Sequence, residues 1–239
     1  MVALYIVSTE EAVGKTTISA GVGKYLLGDG KKVGFLKPII ADKKPSDGDR
    51  DTAFMKQILA LPEPVDSLHP PVNKIKEAYA RSSQDKDVVI IEGICGPSPY
   101  DNLSKASYEI AESLKTKVII VESYSNQSPK RFSTYEGFGE NLLGIVLNKI
   151  PRSQLKCLAD EISLQFDKAG INILGALPED RALFTLTIGE LADHVQGEIL
   201  SNQEKADELV ENIMVGAMSV DSGLTYFGRK TNKAVVVRD

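Results

Sequence analysis

Apolar and largely β-branched runs of strand length recur along the chain, at Ala3 to Val7, Lys32 to Phe35, Val88 to Ile91, Val118 to Val121, Leu143 to Leu147 and Ile171 to Leu174. Runs that are nearly continuously apolar, with no regular polar alternation, mark strands buried on both faces. Between them lie stretches with helical spacing: Thr17 to Leu27, apolar at Ile18, Val22, Tyr25 and Leu26, then Thr52 to Leu61 and Leu155 to Ala169. Strand and helix therefore alternate. That order predicts an α/β fold in three layers, a mainly parallel sheet with helices on both faces, because each parallel crossover lays a helix on one face or the other. Ligands of such a sheet sit beyond the carboxyl ends of its strands.

The pattern changes after Gly175-Ala176-Leu177-Pro178-Glu179-Asp180. We place a boundary near residue 182, giving a large unit over 1–182 and a small α/β module over 183–239. In the module, Ile188 to Val195 and Lys205 to Ile213 have helical spacing, while Glu198 to Leu200, Val215 to Met218 and Ala234 to Val237 read as short strands. A module of that length is only marginally stable alone. Its apolar positions (Ile188, Leu191, Val195, Leu209, Ile213) and the apolar strand Ala234 to Val237 predict that it packs on another surface, and a two-fold homodimer is the expected form.

Strand Ala3 to Val7 runs into Ser8-Thr9-Glu10-Glu11-Ala12-Val13-Gly14-Lys15-Thr16-Thr17, where a helical pattern begins. Strand, loop and helix in that order are the setting a phosphate loop requires. Gly14 lets the backbone approach a phosphate closely, and the first helical amides point at it. Lys15 adds a full charge where the helix dipole already favours an anion, and Thr16 offers a hydroxyl to magnesium. The generic motif has Gly where this chain has Thr9, so its second half alone is matched.

Two further strands end at the same edge. Val33-Gly34-Phe35-Leu36-Lys37-Pro38 brings Lys37 there, and Val88-Val89-Ile90-Ile91-Glu92-Gly93 brings the Glu92 carboxylate. The intervening loop carries Asp47, Asp49 and Asp51. Thr16, one loop aspartate (Asp51) and Glu92 form a hard oxygen set of the kind magnesium accepts beside a triphosphate.

These residues resemble dethiobiotin synthetase and the cobyrinic acid amide synthetase branch of P-loop proteins, whose loop also has Thr at the place of Thr9. The match runs from Glu10 to Thr17, through Val33 to Pro38 and Glu92-Gly93, to Gly144-Ile145-Val146-Leu147-Asn148-Lys149 and Leu174-Gly175-Ala176-Leu177-Pro178-Glu179. The resemblance implies ATP and Mg2+ as cofactors. It implies that Glu10, Glu11, Ala12, Val13, Gly14, Lys15, Thr16 and Thr17 hold the phosphates, Asn148 reads the adenine with Pro178 and Glu179 beside it, and Thr16, Asp51 and Glu92 bind the metal. Lys15 and Lys37 would then stabilise the transferring phosphoryl group. In that family ATP activates a carboxylate or carbamate for attack by nitrogen, so the protein's work is positioning and charge neutralisation.

On the substrate side the chain departs from the family: Ala41-Asp42 replaces a Ser-Gly pair, and Ile94-Cys95-Gly96 follows Gly93. A lost hydroxyl and bulkier turn residues argue against a diamine substrate. A nearer resemblance is to the regulatory N-terminal region of phosphotransacetylases, in which such a P-loop domain precedes a DRTGG domain. Tyr5-Ile6-Val7-Ser8-Thr9-Glu10 carries it, with Thr187 to Ala192, Gly197 to Leu200 and Val215 to Val220 as a partial DRTGG-like module. It implies an ATP-sensing role with an acyltransferase partner; the alternative is a ligase acting on a small carboxylate.

Composition narrows the classes. A net charge of −5 gives no electrostatic case for nucleic acid, and no apolar run approaches the roughly 18 to 20 residues of a membrane helix. With no basic, cleavable leader pattern after Met1, a cytoplasmic location is expected. Cys95 and Cys157 lack metal-ligand spacing and read as free thiols. His69 and His194 have no second His or Cys at ligand spacing, and Gly21-Val22-Gly23 reads as helix packing.

Overall fold

The computed structural model describes residues 1–39, 50–93, 105–124, 135–155, 163–180, 183, 185–216 and 220–237. Two compact units divide between Glu179 and Asp180.

The first unit runs β1 (Val2–Val7), α1 (Lys15–Gly28), β2 (Val33–Leu36), α2 (Arg50–Ile58), α3 (Val65–Leu68), α4 (Ile75–Ser82), β3 (Val88–Glu92), α5 (Lys105–Ser113), β4 (Lys117–Ser123), β5 (Leu142–Ile150), α6 (Ser163–Lys168) and β6 (Ile173–Pro178). The strands form one sheet in the order β2-β3-β1-β4-β5-β6, parallel at each pairing. Five of the apolar runs fall on strands of this sheet, and the sixth, Ile171 to Leu174, overlaps only the start of β6, an edge strand whose residues are half-buried or exposed.

Alternation along each strand splits the core into two layers. Tyr5, Val7, Val89, Ile91, Val118, Ile120, Ile145 and Leu147 pack on one face with Ala78 of α4, Ile110 of α5 and Phe166 of α6. Leu4, Ile6, Phe35, Ile90 and Val121 pack on the other with Ala20 of α1 and Met55 of α2. Burying both faces of β1, β2 and β3 is what demanded uniformly apolar sequence there. The helical stretch Leu155 to Ala169 is represented by α6, residues 156–162 lying outside the described set.

Register fixes what meets at the carboxyl edge. Ile6 pairs with Glu92, Leu36 with Ile91, Val7 with Ile120 and Ser123 with Asn148. The loop after Val7, Lys37 after Leu36, Glu92, Glu122 and Asn148 are thus delivered to one rim by strand pairing alone. Among the described residues, no helix is long and apolar enough to cross a membrane.

The second unit holds β7 (Leu186–Thr187), α7 (Ile188–His194), β8 (Leu209–Val210), β9 (Asn212–Gly216), α8 (Val220–Phe227) and β10 (Lys233–Val237). Thr187 and Glu190 close a reciprocal capping box on α7. β7 and β8 are antiparallel, and β9 and β10 are parallel, Val215 opposite Val236.

Two expectations for this unit fail. Lys205 to Ile213 is not a helix: a 3-10 turn over Gln203–Lys205 is followed by β8 and β9. In Asn212-Ile213-Met214-Val215 the exposed and half-buried positions alternate, a period of two that the apparent helical spacing concealed. Glu198 to Leu200 forms no strand, and Leu200 is exposed. The strand placed at Val215 to Met218 is β9, which starts earlier, residues 217 and 218 lying outside the described set. Ile213, Val215 and Val236 stand exposed on one face of the two-stranded sheet.

Candidate functional site

A cavity of about 510 Å³ opens at the carboxyl rim, lined by the loop Glu11 to Thr17 together with Lys37, Pro38, Ile39, Asp51, Glu92 and Gly93. Gly14 is the N-cap of α1, with φ +98°, and no side chain caps the helix. Its first amides are thus left for a ligand. A Cβ at Gly14 would stand 2.5 Å from Asn148 Nδ2, so glycine is required by φ and by space together. Ala12 also sits at positive φ, 54°, a conformation costly for a residue with a side chain.

Lys15 is buried, and its Nζ donates to Ser8 Oγ at 2.8 Å. The Ser8 hydroxyl in turn donates to Glu10 O at 2.6 Å. Thr16 Oγ1 donates to Glu92 Oε1 at 2.9 Å. Lys37 Nζ lies 2.6 Å from Asp51 Oδ2 and 3.7 Å from Glu92 Oε1. One ammonium therefore spans both carboxylates proposed for the metal.

Glu92 is only 2% exposed, and its Oε2 is buried without a hydrogen-bond partner. Burial pushes its carboxyl above the usual carboxylate range, against the opposing pull of Lys37 and the Thr16 hydroxyl; Asp51 adds to the push and Lys15 reduces it. A buried carboxylate oxygen with nothing to bind is a site that wants a cation. Thr16, Asp51 and Glu92 fit magnesium in donor type. No group of three or more His, Cys, Asp or Glu that could hold a metal occurs among the described residues, so such an ion would complete its shell with water and ligand oxygens.

Sequence reasoning missed the supports of the loop. Thr9 Oγ1 donates to Glu122 Oε1, and both residues are buried. Asn148 Nδ2 donates to Val13 O at 2.8 Å, and Lys149 Nζ to Ala12 O at 2.6 Å. The signal for Glu122 was present: Val118 to Val121 is an apolar run closed by an acid, the same form as Val88 to Glu92. Of the expected residues, Glu10, Asn148, Pro178 and Glu179 do not line this cavity. Pro178 pairs with Ile150, and Glu179 N donates to Ile150 O at 2.8 Å, which sets both beside β5. Ala41-Asp42 and Ile94-Cys95-Gly96 lie outside the described residues.

The model of an AAA domain family, AAA_26, matches residues 2–185. The chain belongs to that family. The chain is 23% identical to phosphate acetyltransferase of Salmonella typhimurium, over 94% of this chain and 37% of that protein. It is 28% identical to cobyrinate a,c-diamide synthase of Clostridium acetobutylicum, over 97% of this chain and 52% of the relative. The chain thus spans about a third of the acetyltransferase and about half of the synthase. In structure it is similar to the MinD cell division protein of Aquifex aeolicus, with a TM-score of 0.51 at 20% identity, covering 77% of this chain and 84% of that one. This likeness shows the P-loop NTPase fold.

Proposed function

We propose that the AAA_26 domain binds ATP with magnesium and serves as a regulatory module, its nucleotide state sensed by the second unit or by an acyltransferase. The observation that carries nucleotide binding is the cavity itself: an uncapped helix start behind Gly14, two lysines, and a buried carboxylate oxygen in want of a cation. The regulatory reading is supported by similarity to phosphate acetyltransferases across nearly the whole chain and by the replaced substrate residues. In this reading Lys15 and Thr16 meet the phosphates, Asn148, Pro178 and Glu179 flank the base, and the second unit is a partial DRTGG-like module. When bound, magnesium would neutralise phosphate charge.

Similarity to cobyrinate a,c-diamide synthase over 97% of the chain, with Lys37 on the cavity wall beside Lys15, favours a second reading: an ATP-dependent ligase that phosphorylates a small carboxylate. Single-turnover ATP hydrolysis with and without dicarboxylates, acyl phosphates and diamines separates the two. The regulatory reading expects slow turnover that none of them changes, and no dethiobiotin from 7,8-diaminononanoate and bicarbonate. Stimulation by one acid or amine of about tenfold or more, some 1.4 kcal/mol of barrier, would establish the ligase.

The exposed face of β9 and β10 bears on assembly. Parallel strands are normally covered on both faces, and Ile213, Val215 and Val236 are exposed. We expect a homodimer, with aspartate at Val215 shifting the mass seen by light scattering towards the monomer. A monomeric parent protein would refute this.

A further inference from the structure

We infer that Lys37 is the built-in counter-ion of the magnesium carboxylates, and that its ammonium must leave Asp51 and Glu92 for a divalent cation to enter. The inference rests on the nucleotide-binding reading above and deepens it: metal and lysine hold the same oxygens in turn, so arrival of the metal frees the lysine for the phosphates.

Three observations carry it. First, the ammonium lies between the pair, hydrogen-bonded to Asp51 Oδ2 at 2.6 Å and within ion-pair distance, 3.7 Å, of Glu92 Oε1. Second, Glu92 is fixed by the Thr16 hydroxyl, which donates to the same Oε1 at 2.9 Å, so a metal taken up on the partnerless Oε2 would belong to a carboxylate that stays beside the ammonium. Third, Lys37 is a residue of the cavity wall with a side chain 20% exposed, and its flexible four-carbon stem lets the ammonium move into the open space in front of the loop.

Electrostatics then requires an exchange. A divalent ion bound to Glu92 and Asp51 would stand within a few ångströms of the ammonium, and like charges at that separation repel, most strongly on the side of buried Glu92 and less at half-exposed Asp51, where water screens them. Without a metal, removing the ammonium instead would leave the buried Glu92 charge poorly compensated. Lys37 therefore suits the metal-free state at the carboxylates and the metal-bound state in the cavity. Such a lysine is a positioning device as well as a phosphate ligand: it reaches the anion only after the metal has taken its place, which makes binding of a bare nucleotide and of a metal nucleotide different events for the protein.

The test uses the metal alone. Manganese binding to the full chain without nucleotide is measured by electron paramagnetic resonance, and magnesium binding by competition, for the parent protein and for Lys37→Met, Lys37→Gln and Lys37→Arg. Removing the charge is expected to tighten metal binding by about tenfold or more, equally for Met and Gln, while Lys37→Arg stays near the parent value. Using two neutral variants covers the failure of either to fold. Unchanged or weaker metal binding in a folded neutral variant, with magnesium ATP still binding the parent protein, overturns the exchange and leaves the nucleotide reading standing. Absence of metal binding in all four proteins, together with no binding of magnesium ATP to the parent, overturns both.

Discussion

Replacement of Lys15 by alanine is expected to lower affinity for magnesium ATP by about a hundredfold or more, the worth of a charge-assisted hydrogen bond lost inside a partly buried site. The loop that surrounds it contains Glu10 and Glu11, which repel a polyanion, and no other cation of the loop stands behind the phosphates. Lys15 is already buried and bonded to Ser8 Oγ at 2.8 Å, so in the free protein its charge is held at the loop and needs little reordering to meet a ligand. The variant should keep its fold, because Lys15 lines the cavity, so water can fill the space that the lost side chain leaves. Calorimetry against ATP, with circular dichroism as the folding control, decides the matter. Parent-like affinity in a folded variant would show that this loop does not bind phosphate.

Glu92→Gln should act with opposite signs on stability and on metal. Burial holds the Glu92 carboxyl above its ordinary value, so the folded chain binds that proton more firmly than the unfolded chain does. The stability this contributes is fully present below the unfolded pKa and is lost as pH rises through the raised folded one. Above the raised folded pKa, glutamine replaces a buried charge with an isosteric neutral group and is expected to raise the thermal midpoint of the ligand-free protein and flatten its decline with rising pH. It should simultaneously weaken magnesium-dependent nucleotide binding by about tenfold or more, since the amide is a poor ligand for a hard cation. A lowered midpoint together with unaltered response to magnesium and EDTA would remove Glu92 from the metal site.

The large unit was legible because its physics is repetitive. Strands buried on two faces, β1, β2 and β3 above all, leave mostly Val, Ile, Leu and Ala in the sequence, and Gly14-Lys15-Thr16 and Glu92 follow or close such strands. What could not be read was the set of bonds behind the loop. Thr9 looked like an imperfect motif position, yet it is the donor to buried Glu122, and that relation depends on β4 lying against β1, which only the register reveals. Asn148, expected at the base, has its amide on Val13 O. In the second unit the apolar residues Leu209, Ile213 and Met214 fit a helical stripe as well as a strand, and the short window gave no length by which to choose. The antiparallel pairing of β8 with β7 and the parallel pairing of β9 with β10 settled it in favour of strand.

The supports of the phosphate loop also constrain how the chain can be made. Thr9 is bound to a residue 113 positions later, Val13 to one 135 later and Ala12 to one 137 later. The motif is complete in the nascent chain by Thr17, but its loop acquires its braces only when β4 and then β5 have been synthesised and laid into the sheet. Contacts so distant along the chain form late and slowly. Until Lys149 has emerged from the ribosome, the motif exists only in an unbraced form, so a nucleotide bound as proposed would stabilise the finished domain without guiding the early steps that build it.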